Sequence, residues 1–86
     1  MANYKITFKS SVAKDLRNIP NTDVQRILSR IDQLAENPRA PGCIKLTGHD
    51  LYRVRQGSYR IVYEIRDGEL VVVVIKVAHR SAAYAD

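Results

Sequence analysis

The stretch LYRVRQGSYRIVYEIRDGELVVVVIKV, residues 51–77, alternates apolar and polar side chains and contains two turn signals. Gly57-Ser58 and Asp67-Gly68 are dipeptides typical of two-residue β-hairpin turns. We therefore predict three antiparallel strands, at 52–56, 59–66 and 69–77. The third strand is apolar on both faces for most of its length, which indicates a position inside the sheet.

The first half of the chain predicts one strand and two helices. YKITFK, residues 4–9, alternates as a half-buried strand does. SSVAKDLRNIP (10–20) and TDVQRILSRIDQLAENP (22–38) carry apolar residues at helical spacing, and Thr22 and Gln25 have the spacing of a capping box. The order β-α-α-β-β-β predicts an α+β fold in which a two-helix hairpin packs on a mainly antiparallel four-stranded sheet.

Size and composition indicate one small globular domain, residues 1–86. Hydrophobic residues make up 45% of the chain and charged residues 27%, which is the ordinary globular range. The single cysteine, Cys43, excludes an intramolecular disulfide, and no Cys/His cluster has the spacing of a zinc site. No apolar run is long enough for a membrane span, and the first residues do not resemble a signal peptide. We expect a soluble, cytoplasmic domain with no cofactor, no metal and no membrane partner.

The net charge of the chain is basic, at +5, from 14 Lys and Arg against 9 Asp and Glu. Such an excess favours polyanionic partners such as nucleic acid, or an acidic protein. Charge alone does not separate these partners, so the position of the basic residues in the fold must decide.

Three arginines share one face of the predicted first hairpin. With a two-residue turn, Arg55 faces Arg60, and strand alternation places Arg53 on the same side, away from the apolar residues. Facing cations destabilise a strand pair, whereas guanidinium groups suit phosphate. The pattern predicts an anion-binding face. The alternative interpretation is a solvated face that Glu64 and Glu69 partly neutralise.

The last predicted strand ends in VAHRSAAY, residues 77–84, which adds His79, Arg80 and Tyr84. Because this strand is predicted to lie beside the second hairpin strand, we expect its end to approach Arg60 and Arg55. Phosphodiester cleavage needs groups that move protons and cations that stabilise the charge developing on phosphorus. Together these residues predict such a site. The alternative interpretation of His79 alone is a strand-end histidine that is hydrogen-bonded to the backbone. The alternative interpretation of Tyr84 alone is a residue that anchors the C-terminal tail.

KLTGHDLYRVRQGSYRIVYEIRDGELVVVVIKVAHRSAAY, residues 45–84, resembles the C-terminal half of RelE/ParE-superfamily toxins of bacterial type II toxin–antitoxin systems. The resemblance implies a RelE-like fold, related to microbial ribonucleases, and a ribosome-dependent endoribonuclease that cuts mRNA in the A site. In that family the 2′-hydroxyl attacks the adjacent phosphate without a metal, leaving a 2′,3′-cyclic phosphate and a 5′-hydroxyl. The site residues that the resemblance implies are Arg53, Arg55, Arg60, Arg80 and Tyr84, and His79 is a further candidate.

The resemblance also implies the partners, which are an acidic antitoxin that wraps around the domain, the ribosome and mRNA. Arginine stays protonated, so His79 or Tyr84 supplies the general base, or catalysis is mostly transition-state stabilisation. Two alternatives stay open. A ParE-like DNA gyrase inhibitor would bind protein without catalysis, and that branch commonly lacks the basic residues and the tyrosine. The second alternative is a basic binding module or inactive relative.

Overall fold

The computed structural model describes residues 3–48 and 50–81 of the chain. Its elements are β1 Lys5–Phe8, α1 Ser11–Arg17, α2 Asn21–Leu34, β2 Ile44–Lys45, β3 Tyr52–Gln56, β4 Tyr59–Arg66 and β5 Val71–His79. The strands form one sheet in the order β1-β5-β4-β3-β2, and all neighbours are antiparallel except β1 and β5. The predicted α+β class, with two helices and a mainly antiparallel sheet, is confirmed.

Strand β2 adds a fifth strand to the four that the sequence predicts. Its two residues pair with Arg53 and Tyr52 at the outer edge of β3. Two residues are too few to show an alternation of apolar and polar side chains, so the pattern that predicts the other strands gives no signal here.

Both helices pack on one face of the sheet through apolar stripes. Ile27, Ile31 and Leu34 of α2 are buried, and so is Val12 of α1. Their partners in the core are Val54, Ile61, Tyr63, Val72, Val74 and Val77. Each large apolar side chain stabilises the fold by about 1.5–3 kcal/mol when it is fully buried. The helices therefore cover the apolar face of the sheet, and the opposite face remains open. No helix in the described part of the chain is long and apolar enough to cross a membrane.

Helix α2 begins at Asn21, one residue before the predicted cap at Thr22. Pro20 is the N-cap residue, and its carbonyl accepts the N–H of Val24 at 3.0 Å. No side chain caps this end of the helix, so the capping box predicted from Thr22 and Gln25 is wrong. The proline ring fixes φ, which is −54° here, and the ψ of 141° completes the extended conformation that precedes the helix.

The β4–β5 connection is longer than the two-residue turn predicted at Asp67-Gly68. Asp67–Glu69 form a 3-10 turn, and Leu70 adopts the left-handed conformation with φ at 53°. Arg66 therefore pairs with Val71, and four residues separate the two strands. The turn prediction is wrong because it uses the preference of the dipeptide alone, whereas Asp67 has long-range partners.

Asp67 joins three parts of the chain in a polar clamp with Arg39, Tyr4 and Tyr52. Its Oδ1 accepts the Tyr4 hydroxyl at 2.7 Å and Arg39 Nη1 at 2.9 Å, and its Oδ2 accepts Arg39 Nη2 at 2.8 Å. Arg39 Nε also donates to the Tyr52 hydroxyl at 3.3 Å. The hydrogen bonds from Arg39 and Tyr4 lower the pKa of Asp67 to about 2. The clamp ties the start of β1 and the loop after α2 to the β4–β5 connection.

A β-bulge at Ile75 changes which side chains of β5 face the helices. The register against β4 slips by one residue at this point. Val74, before the bulge, is in the core, and strict alternation would bury Lys76 as well, at a high cost for a charged group. The bulge instead turns Lys76 toward the open face and brings Val77 into the core.

The outer edge of β5 is covered beyond β1 by a carboxylate of α1. Lys9 still donates its N–H to the Val74 carbonyl at 2.9 Å. Further along β5, the edge is contacted by Asp15 of α1. Its Oδ2 accepts the N–H of Val77 at 3.2 Å, and its Oδ1 lies 3.7 Å from Lys76 Nζ. Asp15 therefore satisfies a backbone N–H of the kind that an open strand edge offers to other chains.

Candidate functional site

Three arginines of the β3–β4 hairpin lie on the sheet face that points away from the helices. Arg55 pairs directly with Arg60, and Arg53 lies diagonally across from Arg60 in the register. Val54 and Ile61 alternate with these arginines and are buried under the helices. The predicted register of this hairpin and its division into an apolar and a basic face are therefore confirmed.

The spacing of the hairpin lets one anion meet more than one of these side chains. Directly opposite residues have Cβ atoms about 4.5–5.5 Å apart, and diagonal neighbours are about 7–8 Å apart. Arg55 is exposed, whereas Arg53 and Arg60 are half-buried and the Nε atom of Arg60 is buried. Partial burial restricts the rotamers of a long side chain, so less entropy is lost when it binds a ligand.

Arg80 joins this face from the end of β5. Arg60 lies opposite Ala78, and the N–H of Arg80 donates to the carbonyl of Ser58 at 2.8 Å. That bond continues the ladder one residue past β5, into the turn that contains Arg80, and by alternation we expect Arg80 on the same side as Ala78 and Arg60. We call Arg53, Arg55, Arg60 and Arg80 the arginine face.

The register places Lys76 on the same side of the sheet as Arg60, but its ammonium is paired with a carboxylate of α1, and the sequence prediction does not include it. It lies opposite Val62, and its Nζ is 3.7 Å from the Asp15 carboxylate. The signal in the sequence is a lysine placed where alternation would bury it. A buried unpaired lysine is costly, so a bulge beside Lys76 was predictable from this conflict.

His79 lies on the opposite, helix-facing side of the sheet. It pairs with Tyr59, and the two rings meet edge to face with centroids 5.6 Å apart. Without the bulge, His79 would be in register with Ser58, on the side of Arg60. The expected approach of His79 to Arg60 and Arg55 is therefore wrong, because an inserted residue reverses the faces of a strand. A catalytic role for His79 has no support from this geometry.

Tyr84 lies outside the described residues, and its role stays a prediction. Among the tyrosines that the structure describes, Tyr63 donates its hydroxyl to the carbonyl of Pro38 at 2.7 Å in the core. Burial raises the pKa of Tyr63 well above its ordinary value. Tyr63 is therefore a structural donor and not a proton acceptor for a reaction.

The acidic residues of the β4–β5 hairpin lie toward the far end of β4. Glu64 accepts a hydrogen bond from Arg66 Nε, and this contact raises the pKa of Arg66. Glu69 is in the 3-10 turn that follows. Glu64 is on the arginine side, diagonal to Arg53 in the register, so the alternative interpretation, in which Glu64 and Glu69 partly neutralise the arginines, stays open.

The arginine face has the chemistry of a phosphate-binding surface. Guanidinium groups donate paired N–H groups to phosphate oxygens and keep their charge at any physiological pH. They also stabilise the negative charge that develops on phosphorus during attack by an oxygen nucleophile. In 3–48 and 50–81, no three His, Cys, Asp or Glu side chains group as metal ligands do. The arginines described at this face offer groups suited to anion binding and charge stabilisation.

Comparison with known proteins gives relatives over nearly the whole chain. A family model described as the ParE toxin of type II toxin–antitoxin system, parDE, matches residues 6–84. The chain is 31% identical to the toxin RelE of Mycobacterium tuberculosis, covering 94% of this chain and 86% of that protein. It is also 31% identical to the mRNA interferase toxin RelE of Escherichia coli, covering 96% and 92%.

Solved structures show the same similarity at the level of the fold. The toxin–antitoxin complex RelBE of Mycobacterium tuberculosis matches with a TM-score of 0.83 at 25% identity, covering 94% of this chain and 95% of that chain. The intact RelBE complex of Escherichia coli matches with a TM-score of 0.78 at 29% identity, covering 95% and 99%. With the family match over residues 6–84, these similarities show that the chain belongs to the RelE/ParE superfamily of toxins of type II toxin–antitoxin systems.

Proposed function

We propose that this toxin is an endoribonuclease that cleaves mRNA on the ribosome and so inhibits translation. The observation that carries the proposal is the pairing of Arg55 with Arg60, with Arg53 on the same side of the sheet and Arg80 directly after the neighbouring strand β5. Several guanidinium groups on one sheet face suit a single-stranded nucleic acid, whose phosphates follow each other along the strand. The name of the Escherichia coli relative, an mRNA interferase toxin, supports the same activity.

In the proposed reaction, the ribose 2′-oxygen attacks the adjacent phosphorus and the bond from phosphorus to the 5′-oxygen breaks. The products are a 2′,3′-cyclic phosphate and a 5′-hydroxyl. A base takes the proton of the 2′-hydroxyl, and the departing 5′-oxygen receives a proton. Arg55 and Arg60 stabilise the extra negative charge on the non-bridging oxygens, so the proposed step uses no metal. Because both stay protonated, Tyr84 remains the candidate for proton transfer.

An acidic antitoxin is the proposed protein partner. The matching structures from Escherichia coli and Mycobacterium tuberculosis are toxin–antitoxin complexes, and this chain carries a net charge of +5. A flexible acidic segment that wraps around the domain would cover the arginine face and compete with RNA. Action on translating ribosomes places the proposed activity in the cytoplasm.

The nuclease proposal is tested with purified toxin, an mRNA bound to programmed ribosomes, and the same mRNA free in solution. We expect cuts within the A-site codon, a 2′,3′-cyclic phosphate on the upstream fragment and a 5′-hydroxyl on the downstream fragment. Free mRNA is expected to remain intact. An mRNA that also stays intact on the ribosome would contradict the proposal.

Inhibition of DNA gyrase is the second candidate function, because the family model that matches residues 6–84 is described as a ParE toxin. The same preparation is therefore added to a gyrase supercoiling assay. Inhibited supercoiling with intact mRNA would favour a non-catalytic, ParE-like toxin. Cleaved mRNA with normal supercoiling would exclude it.

A further inference from the structure

The side chain of His79 accepts a hydrogen bond in the turn that ends β5. The N–H of Ser81 donates to His79 Nδ1 at 3.2 Å, and Ser81 Oγ lies 2.8 Å from the same nitrogen. A backbone N–H can only donate, so Nδ1 carries no proton, and we assign the proton of the neutral ring to Nε2. The imidazole thus fixes the direction in which the chain leaves the strand.

The ring itself is held by the sheet. Tyr59, its cross-strand partner, is half-buried against the core and meets the imidazole edge to face, with an angle of 86° between the ring planes. The groove in front of the ring is lined by Asp15 of α1, by Asn18 directly after that helix and by Lys76 of β5. Asp15 is bound to Lys76 and to the N–H of Val77. Within residues 3–48 and 50–81, the ring has its hydrogen-bond contacts with Ser81.

Arg80 is the residue between two anchored positions. Its own N–H is bonded to the carbonyl of Ser58 at 2.8 Å, and the next N–H, that of Ser81, is bonded to His79. These two bonds restrict the backbone dihedrals of Arg80 from both sides. A restricted backbone reduces the directions open to the side chain and the entropy lost when it binds.

We propose that His79 is a positioning residue that directs Arg80 toward the arginine face from the opposite side of the sheet. The consequence for RNA rests on the proposed function, whereas the hydrogen bond and its effect on Arg80 do not. In this role His79 exchanges no proton with the substrate. Its essential property is an acceptor at the position of Nδ1.

The test compares His79→Asn with His79→Ala. Both variants remove the ring and its contact with Tyr59, but the Oδ1 atom of asparagine takes the position of Nδ1 and keeps the acceptor. We expect His79→Ala to lower mRNA cleavage roughly threefold to tenfold, the range that corresponds to one hydrogen bond. His79→Asn is expected to restore cleavage to near the wild-type rate. Ser81→Ala keeps the N–H and is the matched control, with little change expected.

A double variant shows whether the effect passes through Arg80. If His79 acts by orienting Arg80, then His79→Ala adds little to the loss already caused by Arg80→Ala. Independent, multiplying losses would overturn the proposal. So would a His79→Asn variant that is as inactive as His79→Ala, because only the imidazole can exchange protons near neutral pH and a catalytic role would then explain the result.

Two measurements do not depend on RNA cleavage. Imidazole ¹⁵N chemical shifts of the wild-type toxin are expected to show Nδ1 unprotonated and Nε2 protonated. Amide hydrogen exchange at Ser81 is expected to be fast in His79→Ala and slow in wild type and His79→Asn. A proton on Nδ1, or equal exchange in all three proteins, would overturn the inference even if the nuclease proposal holds. The expected shifts and exchange would support the positioning even if the toxin cuts no RNA.

Discussion

Arg55 and Arg60 lie directly opposite each other across β3 and β4, on the face of the sheet that the helices leave open. Like charges at directly opposite positions destabilise a strand pair. Proteins commonly carry such costs at functional sites, where stability is exchanged for binding. The same pairing that weakens the hairpin is the basis on which we propose it as a site for a phosphate.

Replacement of Arg55 by threonine is expected to stabilise the fold. Arg55→Thr removes the repulsion from Arg60 and introduces a residue suited to strands, for a gain of about 0.2–1 kcal/mol in the free energy of unfolding. RNA cleavage is expected to fall in the same variant. Urea unfolding and the cleavage assay measure the two effects on one protein.

Arg66→Thr is the matched control for that prediction. Arg66 is an exposed arginine of the same strand and the same face as Arg60, but it donates to Glu64. Its replacement removes an ion pair, so stability should decrease and cleavage should persist. A stability loss in Arg55→Thr similar to that in Arg66→Thr would contradict the account of facing charges.

The salt dependence of RNA binding is expected to report the loss of Arg55. Each phosphate contact on a single strand contributes about 0.7 to the slope of log K against log salt concentration. Arg55→Ala should reduce the slope by about that amount, and Arg17→Ala, on α1, should leave it unchanged. Fluorescence anisotropy with a labelled RNA oligonucleotide measures both. An unchanged slope in Arg55→Ala would mean that this side chain contacts no phosphate.

The clamp around Asp67 is expected to weaken in acid. The pKa of Asp67 falls from 3.8 to about 2 in the folded protein, because Arg39 and Tyr4 donate to the carboxylate. A lowered folded pKa stabilises the protein above pH 3.8, and this contribution is lost as the pH falls toward 2. Wild type should therefore be more stable than Asp67→Asn at pH 7, and the difference should shrink between pH 4 and pH 2. A difference independent of pH would contradict the ion pair.

Tyr63→Phe is expected to cost about 1–3 kcal/mol, because the buried carbonyl of Pro38 loses its donor. The pKa of Tyr63 is raised by burial, so the stabilisation is present below pH 10 and decreases as the pH rises above the ordinary tyrosine value. Tyr52→Phe is the comparison, since the Tyr52 hydroxyl accepts only a longer bond from Arg39 in an exposed position. Equal effects of the two substitutions would contradict the assigned role of the core hydroxyl.

The sequence predicts the β3–β4 hairpin and the three arginines on one side of it, because the turn and the alternation agree. Gly57 has a left-handed backbone with φ at 60°, which glycine adopts without strain. Once that turn is placed, Arg55 must face Arg60, and no long-range information is needed. The conformation of one turn and the alternation of side chains along two strands therefore determine this part of the site.

The placement of β5 depends on long-range contacts, and the prediction fails there. The contacts of Asp67 with Arg39 and Tyr4 accompany a longer connection, and the bulge at Ile75 then moves the register by one more residue. A slip of one residue exchanges the two faces of a strand. His79 consequently lies on the helix side and not beside Arg60. Turn preference does not contain this change, and its signal in the sequence is Lys76, which strict alternation would bury.

The most direct measurement maps mRNA cleavage in a translating extract by primer extension for wild type, Arg60→Ala and Arg66→Ala. The account predicts cuts at A-site codons with wild type and Arg66→Ala. It predicts a loss of about 10²–10³ in rate with Arg60→Ala, the size typical for one group that stabilises transition-state charge. Circular dichroism confirms that each variant is folded. Cleavage by folded Arg60→Ala at the wild-type rate would contradict the claim that the arginine face holds the reacting phosphate.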